Sequence, residues 1–266
     1  MMPAASAIRR ITRVAACVLL LAATAQAGEV RVVTSGAFTA AYLELVPQFE
    51  RTAKQTVVTA FGPSMGSAPD SIPSRLERGE AIDVVILAAP QLDALIAQGK
   101  VVAGSRVDLV RSAIGVAVRS GAPRPDISSV DALKRTLLQA KSIAYSSSAS
   151  GVYLSTELFE RLGIAGELKA KSQRIESGPV GDVIARGDAE LGFQQISELL
   201  PVKGIDYIGP LPPGAQRVTI FAAGIATGAR SPDAAKALIA YLASESAVAA
   251  ITRSGLEPVS GHVGVR

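Results

Sequence analysis

Short apolar segments rich in β-branched residues alternate along the chain with longer segments whose apolar residues recur at helical spacing. Residues 82–87 form an apolar run of the length of a buried strand, whereas 38–52 carries apolar residues three and four positions apart. Serine or proline opens most of the helical segments, and glycine follows them. This alternation predicts an α/β fold of mainly parallel sheets flanked by helices.

The pattern predicts eight strands and five helices before the C-terminal helical stretch that Ser231 opens. The predicted strands are 30–34, 56–61, 82–87, 113–118, 142–145, 189–193, 205–208 and 218–223. The predicted helices are 38–52, 91–98, 129–140, 150–162 and 179–186.

Two irregular segments rich in proline and glycine divide this pattern. They are "RSGAPRPDISS" (119–129) and "IGPLPPGAQ" (208–216). If the chain crosses between two lobes near both segments, it crosses twice, as in hinged binding proteins. We therefore expect a two-lobed fold. The expected limits are 28–112 plus 218–258 for lobe 1, 113–217 for lobe 2, and 259–266 for a terminal tail.

The first 27 residues have the pattern of a signal peptide. Three arginines precede an apolar run over 14–23, and Ala25-Gln-Ala27 fits a signal-peptidase site. The run is about half the length that a membrane span needs. We expect cleavage of 1–27 and a periplasmic mature chain.

Removing this leader changes the inferences from composition. It holds three of the 27 basic residues and none of the 23 acidic ones, so the net charge falls from +4 to 24 − 23 = +1. A nucleic-acid partner is therefore not indicated. Cys17, the single cysteine, leaves with the leader, and His262, the single histidine, lies in the tail. We expect no metal, no cofactor, no histidine triad and a monomer.

Four strand-to-helix junctions share one chemistry: hydroxyl groups, glycines and the free N–H groups of a helix N-terminus. The junctions are "TSGAF" (34–38), "GPSMGSA" (62–68), "SSSASG" (146–151) and "ESGPVGD" (176–182). Carboxyl ends of parallel strands are where ligands bind in α/β sheets, and a helix N-terminus suits an anion. Ordinary helix capping is the alternative at each junction. The hydroxyl count exceeds what capping needs, so we expect a cradle for a small anion.

Two further features permit more than one interpretation. Arg75, near the 62–68 loop, is either a surface charge or a counter-charge for a bound carboxylate. Gln194 and Gln195 follow a predicted strand and are either plain loop residues or amide donors to a ligand.

In order and spacing, these junctions together with "RLERGEAIDVVILA", "YSSSAS" and "ARGDAELGF" resemble the periplasmic molybdate-binding protein family. That family comprises the solute receptors of molybdate ABC importers. The resemblance covers nearly all of the chain after the leader. It implies a two-lobed periplasmic-binding fold that closes over a tetrahedral oxyanion and binds it through hydroxyls and backbone amides.

The resemblance also implies site residues. The family's contacts fall on Ser35 with Gly36, on Ser64, on Ser150 and on Val180, and its tyrosine contact falls on a glutamine. Ala149-Ser150-Gly151 replaces the family's Pro-Ala-Gly, a further departure. With the residues reasoned from the junctions, the predicted ligand-binding set is Ser35, Gly36, Ser64, Arg75, Ser148, Ser150, Gly151, Val180 and Gln195.

Three functions are open at this point. The preferred one is an exported solute-binding protein that captures an oxyanion or carboxylate and presents it to an ABC permease. The alternative is a periplasmic aconitate isomerase, an enzyme similar to the same family, which interconverts cis- and trans-aconitate by a 1,3-proton shift. Its base would be one of Tyr145, Tyr153, Asp182 and Glu198, none of which the sequence distinguishes. The third is a receptor that signals instead of transporting.

Overall fold

A computed structural model describes residues 29–259, which form two lobes, each built around one mixed β-sheet flanked by helices. The predicted α/β, two-lobed fold is confirmed. The predicted signal peptide, Cys17 and His262 lie outside the described residues.

The first sheet has the strand order β11-β4-β10-β3-β1-β2. Its strands are β1 Glu29–Thr34, β2 Thr56–Phe61, β3 Val84–Ala88, β4 Val107–Ser112, β10 Thr219–Ile225 and β11 Glu257–Pro258. β1 runs parallel to β2 and β3, while β10 runs antiparallel to β3 and β4. Thr34 lies opposite Phe61 and Ile86, so the carboxyl ends of these three parallel strands lie at the same edge of the sheet.

The second sheet has the order β7-β6-β8-β5-β9. Its strands are β5 Ile114–Arg119, β6 Ile143–Ser146, β7 Ser172–Ile175, β8 Leu191–Gln195 and β9 Ile205–Pro210. β6 runs parallel to β7 and β8, and β5 runs antiparallel to β8 and β9. In both sheets the antiparallel pairs involve the strands through which the chain enters and leaves a lobe.

Helices cover the faces of the sheets. They are α1 Gly36–Ala53, α2 Ile72–Glu77, α3 Ala89–Ala97, α4 Val130–Gln139, α5 Ala149–Tyr153, α6 Phe159–Arg161, α7 Ala165–Lys169, α8 Val180–Arg186, α9 Ile196–Leu199, α10 Pro232–Leu242 and α11 Glu245–Arg253. A π-helical turn, Leu154–Leu158, joins α5 to α6, so the predicted helix 150–162 is one helical rod of three parts. Within 29–259 no single helix is long and apolar enough to cross a membrane, and one pair, α10 with α11, meets that criterion only together across a 63° bend.

The core of the first lobe explains why α1 forms where the sequence predicts it. Phe38, Tyr42, Leu45 and Phe49 recur at helical spacing and are all buried against the first sheet. Burying a side chain of this size contributes roughly 1.5–3 kcal/mol. The second lobe has a separate core around Phe193.

The two chain crossings lie side by side. β4 passes into β5 after one residue, and the chain returns between β9 and β10. The side chain of Gln216, on the return, accepts from the N–H of Ile114 at 2.9 Å and donates to its carbonyl oxygen at 2.9 Å. We propose that the lobe limits follow these crossings, 28–112 plus 218–258 and 113–217.

Candidate functional site

A cavity of about 720 Å³ lies between the lobes. Its wall comes from the segments that follow β1, β2, β6, β7 and β8. All four predicted junctions contribute residues, because these strands end facing the same space. The volume lies within the range of about 300–1,000 Å³ that is usual for small-molecule sites.

Ser35 places an unused hydroxyl group in this wall. It precedes α1 in an extended conformation, and its N–H donates to the carbonyl of Ile86 at 2.8 Å. The residue is 2% exposed, yet its side chain makes no capping bond and its Oγ has no hydrogen-bond partner. A buried polar group left unpaired costs about 1–3 kcal/mol. A polar ligand in the cavity would relieve that cost.

Gln195 places an unused amide donor in the same wall. Its Oε1 accepts from the hydroxyl of Ser112 at 2.8 Å, which fixes the orientation of the amide. Its Nε2 is buried without a partner. Ser35 and Gln195 therefore supply, from the two lobes, donors that suit the oxygen atoms of an anion.

Most of the serine hydroxyls at the junction after β6 are already hydrogen-bonded within the protein. Ser146 and Ser150 are hydrogen-bonded through their hydroxyls at 3.1 Å, and Ser147 donates to the carbonyl of Glu176 at 3.2 Å. Ser148 precedes α5, makes no side-chain capping bond and lines the cavity. Of the four serines, Ser148 thus keeps the hydroxyl most available to a ligand.

Four of the predicted ligand-binding residues are not part of the cavity wall. Ser64 is fully buried, and its hydroxyl accepts from the N–H of Ala88 at 3.1 Å. The N–H of Val180 donates to Gln194 Oε1 at 2.9 Å. Gly151 packs against β6, because a Cβ there would lie 1.7 Å from the carbonyl oxygen of Ser146.

Arg75, the fourth, is engaged away from the cavity. Its Nε donates to the carbonyl of Asp70 at 3.0 Å, and its guanidinium forms an ion pair with Glu80 at 2.7 Å. Arg75 therefore lies outside the cavity wall in this structure, and the counter-charge role expected of it stays a prediction. The predicted residues that do line the cavity are Ser35, Gly36, Ser148, Ser150 and Gln195.

The sequence could not distinguish Glu198 from the other three candidate bases, and the structure does. It lies in α9, partly buried, at the cavity wall. Gln194 Nε2 donates to its Oε1 at 2.8 Å. Burial raises the pKa of its carboxyl to about 7, although hydrogen bonds from the Gln194 side chain and the Gln195 backbone act in the opposite direction. A carboxyl group with this pKa both accepts and releases a proton at neutral pH.

The remaining charged residues of the wall are unevenly distributed. Asp70, Glu176, Asp182 and Glu198 are acidic, and Lys203 is the one basic residue among the described residues that line the cavity. The described chain contains no group of three or more His, Cys, Asp or Glu side chains able to hold a metal ion. An anion in this cavity would therefore have to be bound mainly by neutral donors.

Comparisons with known proteins agree with this architecture. A family model described as "Bacterial extracellular solute-binding protein" matches residues 30–257. A protein named aconitate isomerase from Pseudomonas sp. is 48% identical over 228 residues, covering 86% of this chain and 87% of that protein. The molybdate-binding protein ModA of Azotobacter vinelandii is 30% identical over 185 residues, covering 68% and 69%.

The solved structures show the same fold. The periplasmic molybdate-binding protein of Azotobacter vinelandii superposes with a TM-score of 0.68 at 22% identity, covering 85% of this chain and 98% of that one. The predicted resemblance to the molybdate-binding proteins is thereby confirmed at the level of fold and family.

Proposed function

The chain belongs to the family of bacterial extracellular solute-binding proteins, and within that family we propose that it isomerises a small unsaturated polycarboxylate of the aconitate type. The observation that carries the proposal is the position of Glu198, a carboxyl group with a pKa of about 7 in the wall of the interlobe cavity. The 48% identity to a protein named aconitate isomerase supports it.

In the proposed reaction Glu198 moves one proton between two carbon atoms. Its carboxylate removes a proton from the methylene group next to the double bond, and the C–H electron pair forms a new double bond. The original double bond shifts its electrons toward the neighbouring carboxylate, giving a dienolate. Glu198 then returns the proton to the carbon at the far end of the allylic system. Atoms and charge balance, and no oxidant or reductant is needed.

The neutral donors of the wall bind the substrate's carboxylates in this proposal. Ser35 Oγ and Gln195 Nε2 are buried and unpartnered, so they donate to ligand oxygen without breaking an internal bond. The first N–H groups of α1, beginning at Gly36, have no acceptor inside the helix. Donors of this kind stabilise charge that develops on an oxygen in the transition state.

The second candidate is capture of an oxyanion for an ABC importer, with no chemistry. The 30% identity to a molybdate-binding protein and the unpartnered donors favour it. The cavity volume favours the larger substrate, since at about 30 Å³ per water the space equals roughly twenty waters, several times the size of a tetrahedral oxyanion. In either case we propose export through the 1–27 signal peptide to the periplasm.

One experiment separates the two. The mature chain is incubated with cis-aconitate and with trans-aconitate, and proton NMR follows the two isomers. In parallel, thermal melting is recorded with molybdate, tungstate, sulfate and phosphate. Interconversion of the isomers supports the isomerase. A large rise in melting temperature with an oxyanion, and no interconversion, supports the binding protein; a ligand at a hundred times its Kd adds about 2.7 kcal/mol.

A further inference from the structure

Gln194 joins two parts of the cavity wall through the two ends of its side-chain amide. It is 3% exposed and lies in β8, next to Gln195. Its Oε1 accepts from the N–H of Val180 at 2.9 Å, and its Nε2 donates to Glu198 Oε1 at 2.8 Å. Both bonds lie inside the second lobe, and Gln194 and Glu198 both line the cavity.

The first bond determines the direction of the second. A backbone N–H is only a donor, so the amide oxygen of Gln194 must face Val180. The NH₂ group must then face Glu198. Rotating the amide by 180° would place NH₂ against N–H and carbonyl oxygen against carboxylate, which breaks both hydrogen bonds. The donor toward Glu198 is therefore fixed by the backbone of α8.

Glu198 is also confined by a contact with the first lobe. A Cβ at position 36 would lie 2.0 Å from Glu198 Oε1, so the carboxyl fits against α1 because residue 36 is glycine. The other titratable side chains of the wall are Asp70 before α2, Glu176 before α8, Asp182 on α8 and Lys203 after α9. In the part of the chain that the structure describes, none of these four forms a hydrogen bond or ion pair with Glu198.

We propose that Gln194 is a positioning residue for Glu198. By hydrogen-bonding Oε1, and together with the hydrogen bond that Glu198 receives from the Gln195 backbone, it holds the carboxyl group in one orientation for proton exchange with the ligand. It also stabilises the carboxylate form, which is the form that removes the proton. This inference rests on the proposed function, since it assigns Glu198 the proton-transfer step.

The test is a titration of Glu198 by carbon NMR of the side-chain carboxyls in the whole mature chain. The resonance is assigned by its loss in E198Q. Gln194→Leu and Gln194→Met both remove the donor and replace the amide side chain with an apolar one of similar size. Gln173→Leu is the matched control, because Gln173, in β7 and outside the cavity wall, donates through Nε2 to the carbonyl of Asp188.

The expected result is a midpoint about one pH unit higher in both Gln194 variants, with Q173L unchanged. The pH at which isomerisation reaches half its maximum should rise by the same amount. Circular dichroism identifies the variants that fold, and one folded Gln194 variant is enough. An unmoved Glu198 midpoint in a folded variant overturns the inference.

The outcomes distinguish this inference from the proposed function. If the midpoint rises but the wild type does not interconvert the isomers, the isomerase proposal fails while the positioning of Glu198 stands. If the wild type interconverts them but the midpoint does not move, the positioning role fails alone.

Discussion

The carboxyl of Glu198 lies so close to the backbone of Gly36 that a Cβ at residue 36 would stand 2.0 Å from Oε1. Gly36 begins α1 in the first lobe, and Glu198 lies in α9 of the second. This contact excludes water from one side of the carboxyl, and burial is the main reason that its pKa is raised to about 7. The contact between the lobes is therefore part of the proposed chemistry of the site.

The first prediction concerns that contact. Gly36→Ala should displace the Glu198 carboxyl, which is the flexible end of a side chain, so the folding cost is small and helix propensity partly offsets it. We expect isomerisation to fall by about a hundredfold, since general acid–base catalysis contributes that much or more. Rate and melting temperature are measured together.

Gly166→Ala is the control, because Gly166 lies in α7 and a Cβ added there would have no atom within 4 Å. It should change neither quantity appreciably. A G36A protein with wild-type activity would show that the contact has no role in the reaction.

The second prediction concerns stability and pH. The ordinary pKa of a glutamate carboxyl is 4.5, and that of Glu198 in the folded chain is about 7, so the folded state binds the proton more tightly. The resulting stabilisation is full below pH 4.5 and is lost as the pH rises through 7. The difference of 2.5 pH units corresponds to about 3 kcal/mol at most.

Urea unfolding of the wild type and E198Q between about pH 4.5 and 8 measures this effect. Stability of the wild type should decline relative to E198Q over that interval and then level off. Two curves that stay parallel would mean that the carboxyl titrates normally.

The third prediction compares the unpaired hydroxyl of Ser35, which is available to a ligand, with the hydroxyl of Ser64, which stabilises the fold. Ser35→Ala removes a buried hydroxyl without a partner, so the free protein should be unchanged or up to about 1 kcal/mol more stable. Ligand binding should weaken about tenfold. Ser64→Ala instead leaves the N–H of Ala88 without its acceptor and should cost about 1–3 kcal/mol. Melting curves with and without aconitate give both quantities, and equal losses of stability in the two variants would contradict the assignment.

The fourth prediction concerns the bond between lobes at the cavity mouth, where Ser177 Oγ donates to Asp70 Oδ2 at 2.8 Å. The bond is exposed to solvent, so Ser177→Ala should leave the melting temperature of the free protein nearly unchanged. Ligand release, followed by stopped flow, should become faster because the closed arrangement loses a contact. Ser120→Ala is the control, since Ser120 donates to Asp206 within the second lobe. Identical release rates in the wild type, S177A and S120A would show that this bond has no role in retaining the ligand.

Sequence pattern predicts the elements whose positions are set by burial. α1 and β3 lie close to the predicted 38–52 and 82–87, because α1 buries one face against a core and β3 is buried along its whole length. The sequence pattern does not predict β4, because Asp108 and Arg111 interrupt its apolar run. It does not predict β7 either, because "SQRI" is mostly polar. The antiparallel direction of the strands at the crossings is also not predicted, since apolar spacing does not encode strand direction.

The site was only partly predictable for a related reason. Ser35 and Gln195 could be proposed because they lie at or just after the ends of strands that end at the cleft. Glu198 could be named only as one of four bases, because its pKa depends on burial against Gly36 of the other lobe and on a hydrogen bond from Gln194, and the sequence shows neither. Arg75 lies close in sequence to the 62–68 loop, yet Glu80, five residues later, binds it.

The proposed function depends on Glu198 as the group that carries the proton, and the rate at which E198Q interconverts the aconitate isomers decides whether it does. The amide keeps the shape of the side chain but cannot exchange a proton as a carboxyl does. E198Q should still bind aconitate in a thermal-melt titration but should interconvert the isomers at least about a hundredfold more slowly than the wild type. Glu160→Gln is the control: it changes an exposed glutamate and should retain full activity. An E198Q protein that turns over as fast as the wild type would contradict the claim.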